Sequence, residues 1–210
     1  MHIPDGFLSG ATMATTAVAS AAGLGVAVKM VSRRIGERHV PLMGMMGAFI
    51  FAAQMLNFPV VGGASGHLIG AALAAILLGP WASIIIMSLV LIAQCLIFQD
   101  GGLLALGANI FNMSIIAGLG AYLIYRLLTK FLGEDRRLVA GFVAAWFSVV
   151  IASVAAALEL AISGTVPLDA VLPAMVGWHT LIGIGEGLIT IAMLGLVRAV
   201  RKDLLQMGRA

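Results

Sequence analysis

The sequence predicts an all-α integral membrane protein with seven transmembrane helices in a single polytopic domain. Apolar residues make up 61% of the 210-residue chain and charged residues 10%, whereas soluble domains carry about 25% charged residues. Glycine is abundant at 26 residues, which is typical of helices that pack closely in lipid. Seven apolar runs mark the predicted helices. They cover about residues 8–30, 42–57, 67–79, 82–98, 103–128, 138–162 and 173–199.

The second and third runs are shorter than the roughly 20 residues that a spanning helix needs. The segment between them, residues 58–66, is rich in glycine. We interpret it as a re-entrant loop that enters the membrane under a cover of protein, because exposed non-helical backbone is unstable at that depth. Short, glycine-interrupted segments of this kind point to the binding site in transport proteins.

The basic residues predict the orientation of the chain in the membrane. Seven crossings bring all twelve of them to one side, which the positive-inside rule makes the cytoplasmic side. The N-terminus is then outside and the C-terminus cytoplasmic, in the plasma membrane of a prokaryote. The net charge of +3 therefore does not indicate a nucleic-acid partner. The basic residues are Lys29, Arg33, Arg34, Arg38, Arg126, Lys130, Arg136, Arg137, Arg198, Arg201, Lys202 and Arg209.

The first predicted helix carries a ridge of small residues at i+4 spacing, which lets another helix approach closely in lipid. Two interpretations are equally favoured, packing within this chain and docking of a partner subunit. The ridge consists of Ala11, Thr15, Ala19, Gly23 and Ala27.

The first seven residues predict a metal site built from the chain end itself. A free Met1 amine, the His2 amide nitrogen and His2 Nδ1 close a five-membered and a six-membered ring around one metal ion. Square-planar nitrogen coordination favours Ni(II) or Cu(II), with Co(II) less well accommodated. The alternative is a frayed terminus, but the Pro-Asp-Gly sequence at residues 4–6 is turn chemistry and indicates a segment that folds back.

His67 follows the glycine-rich loop on the same predicted side, and we expect its imidazole to fill the fourth corner of the metal. The alternative is a histidine hydrogen-bonded inside the bundle, which is disfavoured because ionisable groups in membrane segments are usually functional. The single cysteine, Cys95, excludes a thiolate cluster. Six other polar residues are candidates to support the ligands, although for each one alone a plain helix–helix hydrogen bond is the favoured interpretation. They are Gln94, Asp100, Asn109, Asn112, His179 and Glu186.

Five stretches of the chain resemble a known family, the substrate-capture component of nickel/cobalt energy-coupling-factor (ECF) transporters, called CbiM or NikM. The stretches from residue 1 to 8 and from residue 62 to 70 are the most specific. The others cover residues 79–81, 98–112 and 179–186. The resemblance implies seven helices with the N-terminal segment inserted into the bundle from outside. It also implies a metal held by the Met1 amine, the His2 amide and ring, and the His67 ring.

The resemblance further implies partners in the membrane and the cytoplasm. These are a transmembrane coupling (T) subunit, cytoplasmic ATPase (A) subunits and a small accessory membrane subunit. The sequence has no Gly-x-x-x-x-Gly-Lys-Ser/Thr stretch, so we expect ATP to be bound by another chain. The chain is then expected to be no enzyme and to have no cofactor of its own, with Ni(II) or Co(II) bound only as the transported substrate.

Two rival functions remain open. Gly63-Ala64-Ser65-Gly66 has the form of the rhomboid intramembrane serine proteases, with His179 as the possible base for Ser65. That interpretation leaves His67 and the N-terminal stretch unexplained. The other rival is a stand-alone metal permease, which would take up metal without an ATPase.

Overall fold

The computed structural model describes residues 1–34, 36, 39–60 and 64–200, and it is almost entirely helical. A two-stranded hairpin and a short 3-10 turn at Glu134–Arg136 are the other regular elements of these residues. The strands are β1 (Phe58–Val60) and β2 (Ala64–Gly66). The helices are α1 (Gly10–Arg34), α2 (Val40–Gln54), α3 (Ala71–Leu78), α4 (Pro80–Phe98), α5 (Leu106–Leu132), α6 (Arg137–Ile162) and α7 (Leu168–Val200).

The helix lengths confirm the all-α membrane class. Five helices in the described part of the chain, α1, α4, α5, α6 and α7, are long and apolar enough to cross a membrane. The 15 residues of α2 extend about 22 Å and the 8 residues of α3 only about 12 Å, at about 1.5 Å per residue. The short helix α3 is buried along its whole length, so it lies in the interior of the helix bundle.

The start of α3 differs from the predicted helix at 67–79. The helix begins at Ala71, because Gly70 takes a positive φ of 82° that favours glycine. The Glu186 carboxylate of α7 accepts the N–H of Ile69 at 2.5 Å and that of Gly70 at 2.8 Å. Residues 67–70 are therefore an irregular segment whose backbone donors a distant helix satisfies.

The described residues of the predicted loop at 58–66 form two antiparallel strands, which we call the hairpin. Phe58 lies opposite Gly66 and Val60 opposite Ala64; residues 61–63, with Gly62 and Gly63 of the glycine-rich motif, lie outside the described part. The N–H of Ser65 donates to the carbonyl of His2 at 3.3 Å. The hairpin thus binds the chain start directly.

Glycines bring α6 and α7 into close contact. A Cβ at Gly141 would lie 2.6 Å from Leu194, and one at Gly187 would lie 2.6 Å from the ring of Phe142. Neither position accepts a larger residue without movement of the opposite side chain. The abundance of glycine predicted this kind of packing.

The small-residue ridge of α1 divides into two parts. Gly23 and Ala27 pack inside the chain, since a Cβ at Gly23 would lie 2.5 Å from Ile115 of α5 and Ala27 is fully buried. Ala11 and Thr15 are exposed, and Ala19 is half-buried. Internal packing therefore accounts for the second half of the ridge.

Candidate metal-capture site

The chain start is buried and fixed in place. Met1, His2 and Ile3 are 1%, 4% and 0% exposed. The side chain of Asn109, from α5, pairs with the backbone of Ile3: its Oδ1 accepts the N–H at 2.8 Å and its Nδ2 donates to the C=O at 3.1 Å. The same C=O accepts the N–H of Gly102 at 2.9 Å. The terminus is therefore an ordered part of the core and not a frayed end.

Asp5 anchors the chain start to the beginning of α5. Its carboxylate accepts N–H groups of three consecutive residues, at 2.8 to 3.2 Å. These residues are Leu103, Leu104 and Ala105. A Cβ at Gly102 would overlap the Asp5 carboxylate, so only glycine permits this approach. The sequence indicated Asp5 only as a turn residue, and the Gly101-Gly102 pair was the one signal of a close backbone approach.

The Ser65 hydroxyl lies among the three nitrogens of the predicted chelate. Its Oγ is 3.1 Å from the Met1 amine, 3.0 Å from the His2 amide nitrogen and 3.4 Å from His2 Nδ1. A serine hydroxyl has two lone pairs and one proton, which suffices to accept from the amine and the amide and to donate to the ring. Because Ser65 Oγ is about equally distant from the three nitrogens, it lies on the line that passes through the centre of their triangle at a right angle to its plane. A metal ion bound to all three nitrogens at equal distances would lie on the same line.

The ring of His2 is oriented by Gln94 of α4. His2 Nε2 is 3.1 Å from Gln94 Oε1, and because an amide oxygen accepts, this contact suits the tautomer with the proton on Nε2 and the lone pair on Nδ1, whereas a carboxylate beside Nδ1 suits a proton or another cation there. The Asp100 carboxylate lies 3.2 Å from that Nδ1 and also accepts from Asn57 at 2.9 Å. A cation at Nδ1 would therefore face a carboxylate.

His67 presents an unused nitrogen to the same place. Its Nδ1 donates to the Leu68 carbonyl at 2.6 Å, which leaves the lone pair on Nε2. Nε2 is buried and has no hydrogen-bond partner among the residues that the structure describes, an uncommon state for a buried polar atom. The ring stacks on that of His2, with centroids 4.5 Å apart and planes at 25°.

Burial favours the unprotonated form of the amine and of both imidazoles. It lowers the pKa of the Met1 amine well below its usual value and that of His2 to about 3, with any charge on the nearby amine as a second cause. Burial also lowers the pKa of His67, again with a smaller effect of a charged amine. Desolvation disfavours the charged form of each base. The buried position therefore favours the neutral bases that metal binding requires.

The other polar candidates lie at different distances from this centre. Gln94 and Asp100 touch the His2 ring, Asn109 holds Ile3, and Glu186 holds the backbone after His67. The ring of His179 donates through Nδ1 to Met175 of its own helix at 2.7 Å.

One candidate of the sequence analysis and the dyad of the rival protease function are not found at the site in the described part of the chain. Asn112 lies apart from the site and donates to Glu159 of α6 at 2.7 Å. No hydrogen bond joins the Ser65 hydroxyl to His179, because that hydroxyl binds Met1 and His2. The carboxyl of Glu159 was not among the residues that the sequence indicated, although it is only 8% exposed.

Comparison with known proteins decides the family. The family model CbiM, described as the cobalt uptake substrate-specific transmembrane region, matches residues 2–204. The chain belongs to this family. CbiM proteins are components of nickel and cobalt transport, and the present member is a multi-pass protein of the cell membrane.

Individual relatives of this CbiM chain agree with the assignment. A putative fused nickel transport protein NikMN of Archaeoglobus fulgidus is 41% identical over 100% of this chain and 70% of its own. A putative metal transport protein of Haloquadratum walsbyi is 37% identical over 97% and 93%. The crystal structure of a truncated transition metal transporter superposes with a TM-score of 0.90 at 37% identity, over 95% of this chain and 99% of that one. These relatives are named as transport proteins and not as enzymes.

Side-chain clusters alone do not reveal the site. Within the described residues, no three or more His, Cys, Asp or Glu side chains come together as a metal-binding group. The predicted donor set is compatible with this finding, because two of its four nitrogens are a terminal amine and a backbone amide.

Proposed function

We propose that this chain captures Ni(II) or Co(II) from outside the cell as the substrate of an uptake transporter. The donors would be the Met1 amine, the His2 amide nitrogen, His2 Nδ1 and His67 Nε2. One observation carries the proposal: three buried nitrogens surround one point, and beside them His67 has a buried nitrogen with no partner. The proposal requires that Met1 is the first residue of the mature chain and that its amine is free.

The geometry favours a planar site with an oxygen above it. With metal–nitrogen bonds of about 2.0–2.1 Å, the metal would lie near the plane of the chelate nitrogens. The Ser65 hydroxyl is 3.0 to 3.4 Å from each of them, so it would stand about 2.4 Å above that plane. Planar nitrogen coordination suits Ni(II). The Ser65 hydroxyl would be a weak fifth ligand that allows the site to bind Co(II) as well.

Charge balance supports the same donor set. A divalent metal that displaces the His2 amide proton leaves one net positive charge in a buried place, where an unpaired charge is costly. The Asp100 carboxylate, 3.2 Å from Nδ1, would neutralise it. Gln94 would keep Nδ1 free for the metal by holding the proton on Nε2.

The transporter would be of the ECF type, with seven transmembrane helices, the N-terminus outside and the C-terminus cytoplasmic. The site lies where α1 and α5 begin, and basic residues such as Lys29 and Lys130 lie towards their far ends, as the positive-inside rule expects. ATP would be hydrolysed by separate A subunits that act through a T subunit, with a small accessory membrane subunit as a further partner.

A one-residue extension before Met1 tests the ligand set. We expect the purified native chain to bind about one Ni(II), and the extended chain to bind none, because the extension turns the amine into an amide. A chain with the same residue added after Ala210 is the control. Equal binding by all three would refute the chelate. Metal uptake in cells that lack any ATPase partner would instead favour the stand-alone permease.

A further inference from the structure

A large cavity lies at the end of the bundle away from the metal site. It has a volume of about 600 Å³ and opens between the C-terminal part of α5 and the start of α6. Its polar wall is formed by Tyr122, Arg126, Lys130, Glu134 and Arg137. The metal proposal uses none of these residues, so the cavity requires an explanation of its own.

The cavity carries an excess of positive charge. Three cationic side chains and one carboxylate line it, which gives a net charge of +2 (3 − 1). Arg137 pairs with Glu134 through Nη2, while its Nε is buried without a hydrogen-bond partner. An anion in the cavity would supply that partner and balance the charge.

Tyr122 positions the guanidinium of Arg126. The guanidinium carbon lies 5.7 Å from the centre of the Tyr122 ring, and Nη1 donates to the phenol oxygen at 3.2 Å. Arginine held in this way keeps its other N–H groups for a second acceptor, and its flat fork suits phosphate oxygens.

Part of the wall is apolar and exposed. Leu123 and Leu127 line the cavity and are 65% and 51% exposed. They lie one helical turn apart, and each precedes one of the two cations Arg126 and Lys130 by three residues, so the pair is displaced towards the membrane relative to the cations. A single cavity thus joins a cationic end to an apolar groove, which is the complement of a molecule with an anionic head and a hydrocarbon tail.

We propose that this cavity binds a phospholipid with an anionic headgroup. The phosphate would lie between Arg126, Lys130 and Arg137, and an acyl chain would lie along Leu123 and Leu127. Basic pockets between helices at the membrane boundary are suited to such headgroups, and tyrosines favour that depth. A free phosphate would leave the two leucines uncovered, and an acidic protein segment would not use them.

Native mass spectrometry of the full chain tests this proposal with phosphatidylglycerol as the probe. The variant Arg126→Gln/Lys130→Gln removes two of the cations. A matched control, Lys29→Gln/Arg33→Gln, removes the same charge from the same end of the molecule, on α1. We expect one tightly bound phosphatidylglycerol on the native chain and the control, and an affinity at least about tenfold lower for the cavity variant.

Four outcomes would overturn the proposal. Equal losses in the two double variants would indicate diffuse electrostatic attraction only. Equal binding of phosphatidylcholine would show that the anionic headgroup is not recognised, and competition by inorganic phosphate at equal concentration would indicate a site for the free anion. The variant Leu123→Asn/Leu127→Asn should also weaken phosphatidylglycerol binding without changing the charge of the cavity. Unchanged binding by that variant would refute the acyl-chain groove.

Discussion

Replacing Asn109 by alanine should weaken nickel binding without removing any metal ligand. The Asn109 amide holds the Ile3 backbone at both its N–H and its C=O, one residue after the chelate. In the alanine variant the C=O keeps the N–H of Gly102, but the Ile3 N–H loses its acceptor while buried. In the metal-free protein, the N-terminal segment should then detach from the bundle more often.

The magnitude follows from that single unsatisfied donor. A buried N–H without a partner costs about 1–3 kcal/mol. Because the Ile3 contact is the same with and without metal, the cost acts only by reducing the fraction of empty molecules that are ready to bind, and the apparent Kd rises as that fraction falls. A cost of about 2 kcal/mol sets an upper limit of about 30-fold on the loss of affinity.

The chain offers a matched control three residues further along α5. Asn112 is as buried as Asn109, at 1% exposed for both, but it hydrogen-bonds to Glu159. Asn112→Ala should lower the unfolding temperature and leave the Ni(II) affinity of the folded protein unchanged. Titration calorimetry measures the affinity, and hydrogen exchange of residues 3–7 measures the docking of the chain start.

Two results would refute this reasoning. One is an equal loss of Ni(II) affinity in both variants, which would mean that the effect is general destabilisation. The other is faster exchange of residues 3–7 in Asn109→Ala with an unchanged Kd, which would mean that the docked chain start is not needed for capture.

Three further predictions concern the same site. Ser65→Ala should still bind about one metal ion but shift the visible spectrum of bound Cu(II), because the axial oxygen is lost; Ser65→Thr should restore the spectrum, and identical spectra would contradict an axial role. Gly102→Ala should abolish Ni(II) binding by displacing Asp5, whereas Gly177→Ala, which meets no atom within 4 Å, should have no effect. Burial already lowers the pKa values of the Met1 amine and both imidazoles, so we expect metal binding to release only the amide proton. The Ni(II) affinity should then fall about tenfold per pH unit below neutrality. A steeper fall would mean that the other donors are protonated in the empty protein.

The sequence predicted those features that depend on local chemistry. The possible chelate at residues 1 and 2 follows from bond connectivity, and the helices follow from apolar runs. The sequence did not predict which of the candidate polar residues contact the chain start. Asn109 and Asn112 are three residues apart, so on any regular helix they share a face. The structure separates them through a π-helical turn at Phe111–Ile116 that places Asn112 beside Glu159 instead of the chain start.

The start of α3 shows a second limit of sequence-based prediction. Residues 67–79 are apolar enough to continue as one helix, and Gly70 is the one local signal of a break before Ala71. Glu186, which is 117 positions from Ile69, takes two backbone donors that a longer helix would have used. Only the packed bundle brings that carboxylate to the segment after His67, so the local pattern could not predict the irregular backbone that carries the buried histidine ring.

The composition of the candidate site follows from where it lies. A cluster of carboxylates would suit a divalent metal in water, but when the site is empty it would leave several unpaired charges inside a lipid-embedded bundle, at a cost of several kcal/mol each. The proposed amine, amide and imidazole donors have neutral forms, and Ser65 satisfies three of them with one hydroxyl. The Asp100 carboxylate beside them is only partly buried, and an entering metal would balance its charge. The proposed use of the chain end as a ligand would therefore avoid a cluster of buried charges in the empty protein.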